Sequence, residues 1–431
     1  MSMIDVSNLT FGYEGSPELI FDHVGFQIDS GWKLGFTGRN GRGKTTFLRL
    51  LQGEYPYSGT ISASVEFEYF PYEVANLSRT GLEVVREIAP EAEDWEIQRE
   101  LGLLDLAERS LELPFSSLSN GERTKVLLAA MFLKENAFLL IDEPTNHLDL
   151  EGRRKLGSYL ARKRGFLLVS HDRAFLDQCV DHILAINRTN IEIQRGNFSS
   201  WWENRRRQDA FELARQEKLQ KDIGRLTESA RRASGWSDRT EKSKFGVDKT
   251  GAKAADRGFV GHKAAKLMQR SKSIQRRREE AVEEKKQLLQ NLERQEALAV
   301  TPLPCRTGAR LAEFRDVAVC YNGRRVCREI TFEVLAGERI ALQGANGCGK
   351  SSLLKLLLGQ EIPHTGTVWL AGGLQISYVP QDPGFLRGKL GAFARESDID
   401  ESLFKAILRK LDFRRVEFEK DMADYSGGQK K

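Results

Sequence analysis

A glycine loop that occurs twice constrains this chain more than any other feature. GRNGRGKTT begins at Gly38 and GANGCGKSS begins at Gly344, 306 residues later. Each fits the pattern GxxxxGK(S/T). Each follows a short apolar run, KLGFTG or RIALQG, and leads into a run with helical apolar spacing, TTFLRLLQG or SSLLKLLLG. Such a loop is a strand-to-helix turn whose glycines let successive backbone N–H groups face one anion. Its lysine reaches the outer phosphates of a nucleotide and its hydroxyl helps hold Mg²⁺. Two further matches repeat nearly the same offset. SNGE begins at Ser119 and SGGQ at Ser426, while FGYEG around Tyr13 matches CYNGR around Tyr321. Duplicated positions remove chance as an explanation. The chain reads as two tandem α/β units, with FLLID and GFLLVSH as further buried-strand runs of the parallel-sheet kind. Chemistry in such sheets gathers at the carboxyl ends of the strands.

Between the copies lies a segment of another character. Residues 201–300 hold 25 Lys and Arg against 16 Asp and Glu, while the rest of the chain holds 41 against 45, so the net charge of +5 is built by the insert alone. Leu219, Ile223, Leu226, Ala230 and Ala233 follow a 4-3-4-3 spacing, and Leu267, Ile274, Ala281, Leu288 and Leu292 repeat at seven and then four. Narrow apolar stripes on charged helices predict an antiparallel helical hairpin over residues 197–300. A tip loop over about 234–264, holding five glycines, is expected between the helices. A charge run is ordinarily a solvated helix face. That accounts for the helices, where signs nearly balance, but not for 15 cations against 6 anions within residues 231–280. Lys and Arg interleaved with Trp236, Phe245 and Phe259 suit RNA, since cations meet phosphates and rings stack on unpaired bases.

Composition sets outer limits. The 431 residues suffice for two or three domains with their own cores. No run of about 18 uncharged apolar residues is present, which excludes a membrane-spanning helix, and MSMIDVSNLTFGYEG has no signal-peptide pattern. Five cysteines, odd in number and without a CxxC pair, fit reduced thiols in a cytoplasmic protein better than disulfides or a zinc site.

In the first copy FLLIDEP places Asp142 at the end of an apolar strand, where a carboxylate reaches Mg²⁺ directly or through water, and Glu143 after it, where it can accept a proton from attacking water. Adjacent acids are more often a solvated turn. Five uncharged residues before the pair, and a phosphate loop in the same unit, reverse that preference. His171 in SHD ends another buried strand. A lone histidine is usually structural, but this one stands where a γ-phosphate would sit and is read as a phosphate-sensing catalytic residue.

The glycine loop, LSNGERTKVLLA, IDEPTNHLDL and VSHDRAFLD, in that order, resemble an ABC-type ATPase domain. EPTNHLD, the tandem layout and the charged helical linker resemble the ABC-F subfamily, whose members act on ribosomes. Finer wording, such as PFSSLSNGERTKVLLA and GNFSSWWENRRRQDAFELARQEK, is similar to the Lsa-type antibiotic-resistance ABC-F proteins. The resemblance implies domains over 1–196 and 301–431 joined by the basic linker at 197–300. It also implies two composite nucleotide sites, in which the signature of each half caps ATP held by the loop of the other. The expected nucleotide-binding residues are Tyr13, Gly38, Asn40, Gly41, Gly43, Lys44, Thr45, Thr46, Ser119, Gly121 and Glu122 in the first copy. Those of the second are Tyr321, Gly344, Asn346, Gly347, Gly349, Lys350, Ser351, Ser352, Ser426, Gly428 and Gln429. Mg²⁺ would be held by Thr45, Asp142, Ser351 and the glutamine Gln381 of SYVPQD.

By the same resemblance the chain is a ribosome-associated ATPase, with ATP and Mg²⁺ as cofactors and the large ribosomal subunit, rRNA and P-site tRNA as partners. Its linker would reach toward the peptidyl-transferase centre and displace antibiotics. A housekeeping translation factor and, less in keeping with the basic linker, an ATP-driving transporter subunit remain open. Two departures stand out. Tyr72 occupies the place of Gln381, and Asn120 replaces the first glycine of the signature, which costs energy if φ there must be positive. A third concerns the chain end. Asp142 lies 23 residues after Ser119 and His171 lies 52 after it, so the second copy should carry an acid pair near 449 and a histidine near 478. The second domain is expected to be incomplete, truncated after its signature.

Overall fold

The structure is a computed structural model that describes residues 2–13, 19–38, 43–187, 190–243, 257–288, 310–321, 324–380, 383–411, 413, 415–425 and 427–430. Two units divide the chain. The first comprises residues 1–186, 191–198 and 295–431, and the second residues 187–190 and 199–294.

The first copy runs β1 (Met3–Phe11), β2 (Phe21–Asp29), β3 (Lys33–Gly38), α1 (Lys44–Leu51), β4 (Ser58–Ser62) and β5 (Glu66–Phe70). It continues with α2 (Gly81–Ile88), α3 (Asp94–Leu103), α4 (Arg109–Glu112), α5 (Asn120–Leu133) and β6 (Ala137–Asp142), and ends with α6 (Leu150–Leu160), β7 (Phe166–Val169), α7 (Arg173–Cys179), β8 (His182–Ile186) and β9 (Ile191–Arg195). An antiparallel sheet of order β2-β1-β4 packs with a larger one of order β5-β6-β7-β3-β8-β9, parallel except for β9. The apolar runs FLLI and FLLV are β6 and β7, with Leu140, Ile141, Leu167 and Leu168 fully buried. They lack polar–apolar alternation because both faces of a parallel sheet are covered. Phe47 of α1 packs its ring against Phe21, Phe26 and Phe36, tying the P-loop helix to both sheets.

Around residues 80–133 the helices carry an ionic knot. Glu100, 1% exposed, accepts from the Tyr159 hydroxyl at 2.7 Å and pairs with Lys163 at 2.5 Å and Arg99 at 3.1 Å. Burial alone would push its carboxyl up, yet these partners hold it below the ordinary glutamate value.

The second copy folds in part. It has β10 (Arg310–Tyr321), β11 (Arg324–Arg325), β12 (Ile330–Leu335), α10 (Lys350–Leu357) and β13 (His364–Leu370), which form an antiparallel sheet against the P-loop helix just as β1, β2 and β4 do. Phe314 and Phe332, paired in register, stack at 4.6 Å. Short helices α11 (Leu390–Glu396), α12 (Glu401–Lys410) and α13 (Gly427–Lys430) follow around Leu390, Met422 and Tyr425. One expectation is overturned here. RIALQG enters its glycine loop with no strand, and Ile340 and Leu342 are 48% and 36% exposed. Its counterpart β3 hydrogen-bonds to β7 and β8, both of which follow the signature motif. Among the described residues the second copy contains no such strands, and a strand without neighbours leaves its backbone groups to water.

In the second unit, α8 (Phe198–Ser243) and α9 (Arg257–Leu288) are long, 46 and 32 residues, or about 70 Å and about 50 Å of helix. Both run into the stretch expected as tip loop, leaving only 244–256 between them, outside the described residues. Residues 234–243 contain one glycine and no proline, and extending an existing helix adds a hydrogen bond per residue. On α8 the partly buried positions include Arg205, Asp209, Glu212, Gln216, Leu219, Ile223 and Leu226, a 4-3 stripe, and Ile274 and Ala281 continue the pattern on α9. The rest is laced by i,i+4 pairs such as Arg207–Glu203 and Arg276–Glu280. Side chains of Leu267, Leu288 and Leu292 lie outside the described ones.

Candidate functional site

Sheet order explains why residues a hundred positions apart meet. Strands β6, β7 and β3 are neighbours, and their register aligns Asp142 with Val169 and Val169 with Phe36. The chain therefore leaves three adjacent strands at one edge: into Glu143 after β6, into Ser170 and His171 after β7, and into the glycine loop after β3.

Gly43 closes that loop with φ +88°, and a Cβ there would come within 2.5 Å of Ile20. Only glycine fits such a cradle. Gly349 repeats the conformation at φ +97°. Each lysine folds over its own loop, Lys44 Nζ donating to the Gly38 carbonyl at 2.6 Å and Lys350 Nζ to the Gly344 and Ala345 carbonyls at 2.8 Å. Burial pulls the Lys44 ammonium below its ordinary value, with Asp142 and Glu143 acting against the shift. Asn40 and Gly41 lie outside the described residues.

Asp142 Oδ2 accepts from Thr45 Oγ1 at 3.4 Å and from Tyr69 Oη at 3.1 Å. Glu143 sits in a left-handed conformation, φ +50°, with its N–H held by the Val169 carbonyl at 2.9 Å. A non-glycine residue held there stores strain of the kind found at functional sites. Its Oε1 is buried without a hydrogen bond and stands 3.6 Å from His171 Nε2. Burial first, then the Asp142 charge, pushes the Glu143 carboxyl up to about 7. Burial and Lys44 push the His171 imidazole down, favouring its neutral form. Asp172 behind it caps α7 through the Phe175 N–H and pairs with Arg153.

The residues fit Mg²⁺ and a nucleotide. Thr45 and Asp142 offer hard oxygen donors, the cradle excludes a side chain, and Glu143 keeps a buried oxygen free of partners. Tyr13 adds an aromatic face, 44% exposed, whose hydroxyl meets Thr46 Oγ1 at 2.9 Å. Tyr321 repeats this against Ser352 at 3.2 Å.

The sequence matches the ABC transporter family over residues 21–146 and 327–431, more than half of the chain. The chain belongs to that family. A ribosome protection protein, VmlR, from Bacillus subtilis is 29% identical over 88% of this chain and 66% of its own length. The energy-dependent translational throttle protein EttA of Mycobacterium tuberculosis is 29% identical over 84% and 67%. The probable ATP-binding protein YheS of Escherichia coli is 29% identical over 95% and 63%. The chain spans about two thirds or less of the first relatives' lengths.

Within this ABC family chain the first signature begins α5. Ser119 is its N-cap, accepting from the Glu122 N–H while Glu122 Oε2 accepts from the Ser119 N–H and hydroxyl. Glu122 thus serves a capping box, a role distinct from the nucleotide contact expected of it. Asn120 is the first helical residue and not among the positive-φ positions, so the backbone cost expected there does not arise. Gly121 lies against the 147–148 loop, where a Cβ would meet Leu148 at 3.4 Å. From the second P-loop, Asn346 donates through its backbone N–H to Asp149 at 3.3 Å and through Nδ2 to the His147 carbonyl at 2.8 Å. That loop of one half therefore touches the segment following the acid pair of the other. Gly344 and Gly347 shape it, Ser351 and Ser352 open α10, and Gly428 and Gln429 lie in α13, where Gln429 donates to Glu417. Ser426 and Gln381 lie outside the described residues.

Sequence reasoning missed Tyr69, because nothing in EYFPYEV marks it; only the β5–β6 register shows its reach. It also missed the two tyrosine hydroxyl tethers, which join residues about 30 positions apart. Tyr72, in the glutamine's place, donates to Glu87 at 3.3 Å, and Glu87 is held by Arg79 at 2.6 Å.

Proposed function

We propose that this protein binds and hydrolyses ATP with Mg²⁺ and works on the ribosome, in the cytoplasm. The observation that carries the ATPase reading is the convergence of Lys44, Thr45, Asp142, Glu143 and His171 at three adjacent strand ends. Bound Mg²⁺ would offset the charge of the phosphates. Thr45 and Asp142 would hold it in the first copy, and Ser351, the counterpart of Thr45, together with Gln381 in the second. Lys44 moves from its carbonyl to phosphate oxygens. Glu143 Oε1, buried and unpaired, accepts the proton of the attacking water, and neutral His171 orients at the γ-phosphate. Tyr13 stacks on adenine. Gly38, Asn40, Gly41 and Gly43 wrap the phosphates while Thr46 contacts them. The signatures at Ser119–Glu122 and Ser426–Gln429 cap the nucleotide of the opposite half, a reading supported by the Asn346 contacts with residues 147–149.

The ribosomal part rests on the relatives' names and on the basic insert. A relative named as a ribosome protection protein supports insertion of the linker, read as a hairpin over 197–300 between domains 1–196 and 301–431, near P-site tRNA and the peptidyl-transferase centre. Antibiotic displacement would follow. An equally similar relative named as a translational throttle supports a second reading, a housekeeping translation factor. Glu143→Gln should increase co-sedimentation with ribosomes in ATP over the ATP-free control; no enrichment would refute the ribosomal reading. Lincosamide, pleuromutilin and phenicol tolerance in a drug-sensitive host separates the two readings, tolerance marking the resistance factor.

A further inference from the structure

The hydroxyl of Tyr69 is the feature of the site that the family motifs leave out. Strand β5 runs parallel to β6 with Tyr69 opposite Leu140. Paired residues project to the same face, and Asp142 lies two positions beyond Leu140 on that face. Side chains lean along a strand, so the Tyr69 ring extends toward the strand end and its hydroxyl donates to Asp142 Oδ2 at 3.1 Å. Thr45 donates to the same oxygen. Among the described residues Asp142 Oδ1 accepts no hydrogen bond, so one carboxylate oxygen is pinned and the other is left to a cation. Tyr72 cannot share this role, since its hydroxyl is turned to Glu87. In the second copy Tyr378 stands at the same distance before its proline, but it is 49% exposed and has no acid-bearing strand beside it among the described residues.

We propose that Tyr69 is a positioning residue for the magnesium-binding acid of the first site: its hydroxyl holds Asp142 in the rotamer that leaves Oδ1 to the metal. This rests on the reading of the first site as a Mg–ATP site. Hydrogen-bond partners of metal ligands commonly change metal affinity by about 10-fold or more when removed.

The test uses this chain carrying Lys350→Ala, so that signal comes from the first site, and Mn²⁺ as the probe. Mn²⁺ binding in the presence of ATP is followed by electron paramagnetic resonance, and ATP affinity in EDTA is measured separately. Tyr69→Phe should weaken Mn²⁺ about 10-fold, with metal-free ATP affinity and unfolding midpoint unchanged. Tyr72→Phe should leave all three unchanged. Equal Mn²⁺ affinity in the Tyr69→Phe and parent chains would overturn the role of Tyr69 alone. So would a matching loss of metal-free ATP affinity or of stability, which would mark Tyr69 as a packing residue, or an equal Mn²⁺ loss in Tyr72→Phe. A parent that binds no Mn²⁺ with ATP would bring down the nucleotide reading and this inference together.

Discussion

The two copies carry the same glycine loop in the same local wording, but their surroundings differ. In the first, KLGFTG is strand β3, flanked by β7 and β8, with Leu34 and Phe36 at 0% and 1% exposure. In the second, RIALQG carries no strand, and Ile340 and Leu342 face solvent. The antiparallel sheet, by contrast, forms in both: β1 pairs with β2 and β4, and β10 with β12 and β13. The difference lies in where partners sit along the chain. Those of the antiparallel sheet lie within about 60 residues and come with each copy. The neighbours of β3 in the parallel sheet, β7 and β8, arrive only after the signature and its helix. A P-loop and its helix can thus be built locally, while the acid pair and histidine that complete a site depend on strands brought from far away.

Amide exchange is the most sensitive way to break this comparison. Backbone amides of Leu34–Thr37 should exchange at least about 1,000-fold more slowly than those of Ile340–Gln343, since the former open only with the sheet. Equal protection would mean the second copy acquires a sheet of its own. Core truncation comes next. Phe36→Ala should cost about 3–5 kcal/mol in denaturant unfolding, against less than about 0.5 for Leu342→Ala. Glu143→Gln should then lower ATP turnover about 100-fold, because among the described residues the chain holds one acid pair of this kind. Substantial residual turnover that is lost on adding Lys350→Ala would place hydrolysis in the second copy instead.

The smallest expected effect concerns Glu100, which has no described counterpart in the second copy. Glu100→Gln should destabilise the first by about 2 kcal/mol at pH 7, through loss of its charged hydrogen bonds to Lys163 and Arg99. Because the folded-state value is depressed, that stability is fully present above the ordinary glutamate value of 4.5 and is lost as pH falls through the lower, folded value. The gap between parent and variant should therefore close below about pH 4.5 in acid unfolding curves. A constant gap would show that the pair is held by packing rather than charge.

Much of the site was legible because its chemistry is written as contiguous motifs. Gly43 and Lys44 are identifiable from the loop pattern, and Asp142 and Glu143 from an apolar run ending in two acids. The linker helices were legible from a 4-3 stripe, though their reach into residues 234–243 and 257–264 was not, since glycine content there argued for a loop. Asn120 illustrates the opposite error. A departure from the usual glycine looked costly, but the residue occupies an ordinary helical position after a Ser119 cap. Whether a residue needs positive φ depends on where the helix begins, which capping by Glu122 decides.

By itself the sequence determined the duplication, the two phosphate loops, the identity of the acids and the basic character of the insert, because each is carried by residues close together in the chain. Only the tertiary structure decided that β6, β7 and β3 lie side by side and bring those residues to one edge. Sheet register also decided that Tyr69 reaches Asp142 and Tyr72 does not, and that one of two equivalently placed apolar runs becomes a strand. Strand formation requires partners for every backbone group, and which partners are present is a property of the assembled sheet rather than of any short stretch.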